Sequence, residues 1–228
     1  MHRKREDGNG GPRPALRGRN LPGIDSRFRI RTLGQVPTTA SLPLFPLHTV
    51  LLPGATLGLR VFEARYLDLV RECGRNASGF GVCMILEGNE AGAPATPAAF
   101  GTEARIEDFG TDDDGLLTLR VRGVRRFHVR RTRVRDNGLL VADVEWRDVA
   151  VGEELLQPQH GLLTTVLQRI LERIGGEYAQ ASREQFDDPE WVGWRLAEVL
   201  PLTDMQRQQL LQDDDPHARL DQLLALLS

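Results

Sequence analysis

Apolar and polar positions repeat along this chain with two different periods. Between Leu42 and Trp146 the dominant spacing is two. Leu42–Leu47 and Thr49–Leu52 are short apolar runs ended by Pro53-Gly54, a turn signal. Leu57, Leu59 and Val61 follow, with Arg60 on the opposite face, as a half-buried strand requires. One interruption is helical. Phe62, Tyr66, Leu69, Val70 and Cys73 fall at i, i+4, i+7, i+8 and i+11, one stripe of a helix that Gly74 is expected to end. Strands resume over 79–86, and residues 87–98, rich in Gly, Ala and Pro, are expected to loop. Further strands are predicted over 101–109, over 117–121 behind the acidic turn Asp112-Asp113-Asp114-Gly115, over 124–129 beyond Gly123, and over 139–146 behind Asp136-Asn137-Gly138. Short strands with regular turn signals and one helix predict a small, mostly antiparallel barrel or sandwich.

Beyond residue 150 the period becomes helical. Leu162, Leu163, Val166, Ile170 and Ile174 form a stripe stopped by Gly175-Gly176. Asp188-Pro189 sets an N-cap before a proline at the first helical position, ahead of Trp191, Val192, Leu196, Val199 and Leu200. Thr203-Asp-Met-Gln206 has the form of a capping box. Asp215-Pro216 repeats the Asp-Pro start before Leu220, Leu223, Leu224 and Leu227. About four helices are expected. The fold class is therefore α+β. Residues 1–40 are expected to be a disordered basic tail, 41–149 a β-barrel lobe with one helix, and 150–228 an all-α helical bundle.

Charge sharpens this division. The net charge of −3 conceals +6 over residues 1–40, −1 over 41–149 and −8 over 150–228. All basic residues but Lys4 are arginines. A P-loop, which needs a lysine on the phosphates, cannot be written with this sequence. Schiff-base chemistry and a Ser–Lys dyad have only that one tail lysine to draw on. The first 40 residues carry no apolar h-region, and their glycines and prolines would break an amphipathic transit helix. Residues 32–59 contain no Asp, Glu, Lys or Arg, long enough to span a bilayer. Pro37, Pro43, Pro46 and Pro53 interrupt that stretch, so buried strands and turns are expected and no membrane contact. Cys73 and Cys83 lie among apolar neighbours with no framework spacing, which predicts core thiols and a cytoplasmic, reducing compartment. The five histidines are scattered, so no metal site and no cofactor are expected. No catalytic constellation is legible from spacing, and the chain is expected not to be an enzyme.

Several runs together carry a family resemblance. Leu42-Pro-Leu-Phe-Pro-Leu-His-Thr-Val-Leu-Leu-Pro-Gly54, then Leu57-Gly-Leu-Arg-Val-Phe-Glu-Ala-Arg-Tyr66, resembles the opening of the Lon protease N-terminal domain, its stand-alone bacterial form above all. Phe80-Gly-Val82, Gly101-Thr-Glu-Ala-Arg-Ile106 and Gly123-Val-Arg-Arg-Phe127 follow in the family's order. The run from Trp191 to Leu202, and Asp214-Asp-Pro with Arg219-Leu220, resemble its helical lobe. The resemblance covers about residues 41–227. It implies a PUA-like β-barrel lobe joined to a helical bundle, and a role in binding and positioning protein substrates. In Lon an ATPase module and a Ser–Lys peptidase follow. The single lysine speaks against both here, so the resemblance implies binding of exposed apolar protein segments without either activity. The implied partners are unfolded or degron-bearing polypeptides, and beyond them a separate ATPase or protease.

Three groups are candidates for contact with a partner. Phe62, Glu63, Arg65 and Tyr66 match a Phe-Glu-x-Arg-Tyr motif of the stand-alone proteins. They form either part of a peptide cleft, or a core tyrosine with paired charges that hold the helix to the barrel. Trp191 and Trp194, three apart on a helix, share a face and either anchor an apolar peptide or pack the helical lobe. The eight arginines from Arg120 to Arg135 are the most visible charge feature. Arg120, Arg122, Arg126 and Arg130 lie opposite apolar strand positions. They offer the alternative of an RNA-binding stripe. Only Phe127 is interleaved, whereas single-strand binders add stacking aromatics. The competing reading is a solvated face paired with Glu103, Glu107, Asp108, Asp143, Glu145 and Asp148 on neighbouring strands.

Overall fold

Six strands form one sheet in the computed structural model, which describes residues 39–147 and 155–227: β1 (Thr39–Leu47), β2 (Thr56–Val61), β3 (Phe80–Glu87), β4 (Thr96–Thr111), β5 (Leu117–Val134) and β6 (Leu140–Arg147). Hydrogen-bonded neighbours run β2-β5-β4-β3-β1-β6, and β6 also pairs with β5. Five strands therefore close a ring, and β2 stands outside it. Among the described residues only the β1–β3 pairing is parallel. The expected tail lies outside the described residues, except that Thr39 and Ala40 already belong to β1. The expected lobe boundary at 149/150 also lies outside them.

The closure depends on β5, one strand of 18 residues where two were expected on either side of Gly123. Its first part, Leu117–Arg122, pairs with β2, and its second, Arg126–Val134, with β6. Gly123 is the point of exchange. Its N–H donates to Ala55 O at 2.9 Å and its carbonyl accepts from Gly54 N at 2.8 Å. A Cβ there would collide with the Leu52 carbonyl oxygen. The residue therefore acts through close backbone approach and not as a strand end. Thr49–Leu52, read as an apolar run, forms no strand, but Leu51 and Leu52 are buried in the core.

Helix α1 (Ala64–Asn76) buries Tyr66, Leu69 and Cys73 as the periodicity requires. It runs through Gly74 and stops at Ala77, whose φ of 49° makes it the one non-glycine with positive φ among the described residues. An exposed helical glycine costs only about 1 kcal/mol, less than the buried stripe contributes. Residues 96–98, expected to loop, open β4.

Five helices follow among the described residues: α2 (Gly161–Ile174), α3 (Arg183–Asp187), α4 (Pro189–Val199), α5 (Asp204–Gln212) and α6 (Pro216–Leu227). Asp188 caps α4 and the Thr203–Gln206 box caps α5, as expected. Asp215 accepts from His217 N at the start of α6. Helix α3 was not expected. It stands on a second capping box, Ser182 with Gln185. The buried stripe of α2 is Leu163, Leu167 and Leu171, while Leu162 and Ile174 are exposed, so the face is rotated from the predicted one.

Two apolar cores result. Leu42, Leu44, Cys83, Phe127, Leu140, Ala142 and Val144 fill the ring. A larger core joins β2, α1 and part of β5 to α2, α4, α5 and α6. Both cysteines are free and buried, and burial raises both thiol pKa values. No helix among the described residues is long and apolar enough to cross a membrane.

Candidate polypeptide-binding groove

The motif Phe62-Glu-Ala-Arg-Tyr66 sits where β2 gives way to α1. Alternation in β2 sends Leu59 and Val61 into the core and leaves Thr56, Gly58 and Arg60 exposed. Phe62, one residue past the strand, continues on the open side and is 59% exposed. Tyr66, one helical turn later, points inward and stacks on Phe45 with ring centroids 4.0 Å apart and planes 14° apart. Together with Leu47, Thr49, Leu57, Gly58 and Glu90, these residues line a groove of about 360 Å³. Its floor is the aromatic stack and its rim is Phe62 and two carboxylates.

Both carboxylates are held in place. Glu63 occupies the N-cap position of α1 without capping it. Its side chain instead pairs with Arg65 at 3.0 Å and accepts from Gly92 N at 3.4 Å. Glu90 accepts from His48 N at 2.7 Å, tying the 88–92 loop over one end of the groove. Arg65 does not line the groove. It is buried behind Glu63 and donates to Gly138 O at 3.2 Å, which fixes α1 to the β5–β6 turn. Burial lifts the Tyr66 phenol above its ordinary pKa, so the floor is neutral at physiological pH. Sequence reasoning missed Phe45, Leu57, Gly58 and Glu90. The outward glycine in an otherwise regular strand was the available signal for an open edge.

Trp191 and Trp194 are brought together elsewhere. With Pro53, Gly54, Tyr178 and Arg195 they line a second groove, of about 390 Å³, between the Pro53-Gly54 turn and the helices. Its walls are cross-linked. Trp194 is buried, donates to Glu190 Oε1 at 2.6 Å, and carries Arg219 on its face at 3.6 Å from the centroid. Arg195 joins Glu198, the Tyr178 hydroxyl and Pro53 O. Burial and the Glu198 hydrogen bond push the Tyr178 pKa up to about 12. The two tryptophans thus pack the lobe, with only Trp191 partly open. A third, apolar groove of about 600 Å³ runs along the last turns of α1. It is lined by Val70, Cys73, Ile106, Phe109, Leu117 and Leu119.

The four arginines of the nucleic-acid alternative do not share one surface. Arg126, expected on the solvated face, is 2% exposed. It points under the helical lobe, where it donates to Leu211 O at 3.0 Å and Asp213 O at 2.9 Å and pairs with Asp214. The reason is the partner exchange in β5: beyond Gly123 that face of the strand is covered by the end of α5 and the residues just after it. Arg122 is taken up by Glu107, Glu177 and Gly54 O, and Arg130 by Glu145. Arg120 is the most open, with Glu107 at 3.5 Å. Among the described residues no cluster of three or more His, Cys, Asp or Glu side chains is placed to hold a metal.

Comparison with known proteins places this geometry. The family model of the ATP-dependent protease La (LON) substrate-binding domain matches residues 41–228. A solved Lon N-terminal domain protein from Xanthomonas campestris is 59% identical, with a TM-score of 0.69 over 82% of this chain and 98% of that one. The N-terminal domain of Mycobacterium avium complex Lon protease shares the fold at 21% identity. Its TM-score is 0.58 over 82% of this chain and 97% of that one. A comparison with curated proteins gives no match. The match across both the strands and the helices shows that the chain belongs to the Lon substrate-binding domain family.

Proposed function

We propose that this protein binds exposed apolar segments of polypeptide in the groove between β2 and the first turn of α1. The observation that carries this reading is Phe62, an aromatic side chain 59% exposed beside a groove floored by other aromatics. Aromatic side chains left open at the rim of a concave apolar surface act as anchors for a partner. The substrate-binding description of the family supports the same role. Glu63 and Glu90 add a preference for segments with a flanking cation, since both carboxylates are fixed at the rim.

The binding is reversible and needs no nucleotide. In support, the chain's one lysine, Lys4, precedes the residues 41–228 that match the family. The setting is cytoplasmic, in keeping with two buried free thiols. A bound segment would pass to a separate ATPase or protease. The test places a photo-crosslinking amino acid at position 62 or, as control, at position 109, and adds a reduced, alkylated, permanently unfolded polypeptide. Crosslinks concentrated at position 62 are expected. Crosslinks at position 109 alone, or at neither, would sink the proposal.

A further inference from the structure

We infer that the polypeptide binds by adding a strand to the outer edge of β2, so that its main chain, and not a particular side-chain sequence, is what the groove reads. This rests on the binding role proposed for the groove and says how that role is carried out.

Among the described residues, two strand edges are open beside the apolar grooves. The first is β4 from Arg105 to Thr111, beyond the end of its pairing with β3 at Ala104. It is guarded in three ways. The register slips between Ile106 and Asp108. Arg105, Glu107 and Asp108 place three charges in a row of four residues. Asp108 Oδ1 also takes up the Phe109 N–H at 2.9 Å. Bulges, charges and capped amides are the devices that keep an edge from pairing.

The second edge is β2, which pairs only with β5. Its register runs from Thr56↔Arg122 to Val61↔Leu117 without a slip. Alternate residues of an antiparallel strand turn both N–H and C=O away from the partner, so the outer edge presents a regular row of donors and acceptors. Among the described residues no other main-chain or side-chain group bonds that row. Arg60 is its only charge, and it is drawn off to Asp112 and Asp114 at 2.7 and 2.9 Å. Gly58 is exposed and carries no side chain, so nothing on that face of β2 overhangs the middle of the edge.

The groove lies along this edge, since Leu57, Gly58, Leu59 and Arg60 all line it. A segment paired to β2 would drop alternate side chains toward Phe45, Leu47 and Tyr66, and turn the others to solvent. The substrate class is therefore an extended segment of about six residues, the length of the edge, apolar at alternate positions. A folded helix, whose main-chain groups are already bonded, is excluded.

The test uses the full chain and a labelled octapeptide of alternating valine and threonine, with one arginine near an end. Single backbone N-methylations are walked along it, and affinity is read by fluorescence anisotropy for wild-type protein and Phe62→Ser. Strand addition predicts an alternating pattern: methylation at every second central position weakens binding tenfold or more, and at the intervening positions by less than threefold. Uniform tolerance by a peptide whose binding is still weakened by Phe62→Ser would overturn strand addition and leave the groove reading intact. A parent peptide that does not bind, or binds Phe62→Ser equally well, overturns the groove reading and strand addition together.

Discussion

Phe45 and Tyr66 stack nearly parallel at 4.0 Å beneath Phe62, so one aromatic pair serves both as core and as groove floor. The two roles separate by burial. Phe45 is 5% exposed and Phe62 is 59% exposed. Phe45→Ala is expected to destabilise the fold by about 3–5 kcal/mol in denaturant unfolding, the cost of removing a buried aromatic ring. Phe62→Ser should stay within about 0.5 kcal/mol of the native protein. If Phe62→Ser lowered stability as far as Phe45→Ala, Phe62 would be a packing residue and not an anchor.

Arg126 provides the sharpest contrast among the arginines. Its guanidinium is buried against the Leu211 and Asp213 carbonyls and Asp214. Arg126→Ala should cost about 1–3 kcal/mol by removing the donor to the Leu211 carbonyl and emptying a buried space, while Asp213 O keeps its bond from Arg219; exposed Arg120→Ala should cost less than about 0.5 kcal/mol. Thermal unfolding of the two variants checks this. Equal and small effects would show that Arg126 does not join the strands to the helical lobe.

Gly123→Ala tests how β5 exchanges partners. The added Cβ has the Leu52 carbonyl oxygen in its path, and the backbone on both sides is bonded to Gly54 and Ala55. A loss of about 1–3 kcal/mol is expected from the forced backbone shift. Gly58→Ala, on the same wing but facing open space, should be close to neutral. A Gly123→Ala variant as stable as Gly58→Ala would contradict the close approach.

Acid sensitivity follows from Glu72. Arg135 donates to both of its oxygens, at 2.6 and 3.2 Å, and this hydrogen bonding holds the carboxyl below its ordinary pKa. The folded state therefore binds fewer protons than the unfolded chain around the ordinary carboxylate value. The stabilisation is complete above that value and is lost as pH falls through the lowered folded one. Stability measured from pH 6 downward should fall less steeply in Glu72→Gln than in the native protein. Parallel curves would show that the pair contributes nothing.

Much of this architecture was legible in the sequence, because it rests on local signals. The Asp-Gly and Asn-Gly turns, the Asp-Pro starts and the Thr203–Gln206 box act within a few residues, and each is found where its chemistry places it. Other features are set by distant partners. Gly123 reads as a break, but Leu52, 71 positions earlier in the chain, makes it a point of close approach. Arg126 has the alternation of a surface residue, and it is the distant end of α5 and the residues after it that bury it. At the groove, Phe62, Glu63 and Tyr66 were visible as a motif, while Phe45 lies within an apolar run whose spacing does not show which member meets Tyr66. Arg65 was grouped with the motif, yet its hydrogen bond to Gly138 turns it away from the groove.

The proposed binding of polypeptide in the β2–α1 groove turns on Phe62 as its anchor. The most direct measurement is the affinity of the full chain for a reduced, alkylated, unfolded polypeptide, compared among native protein, Phe62→Ser and Phe109→Ser, with melting temperatures recorded in parallel. Phe62→Ser is expected to weaken binding by tenfold or more, about 1.4 kcal/mol, at an unchanged melting temperature, with Phe109→Ser binding as the native protein does. Native affinity in Phe62→Ser, or a loss confined to Phe109→Ser, would contradict the account.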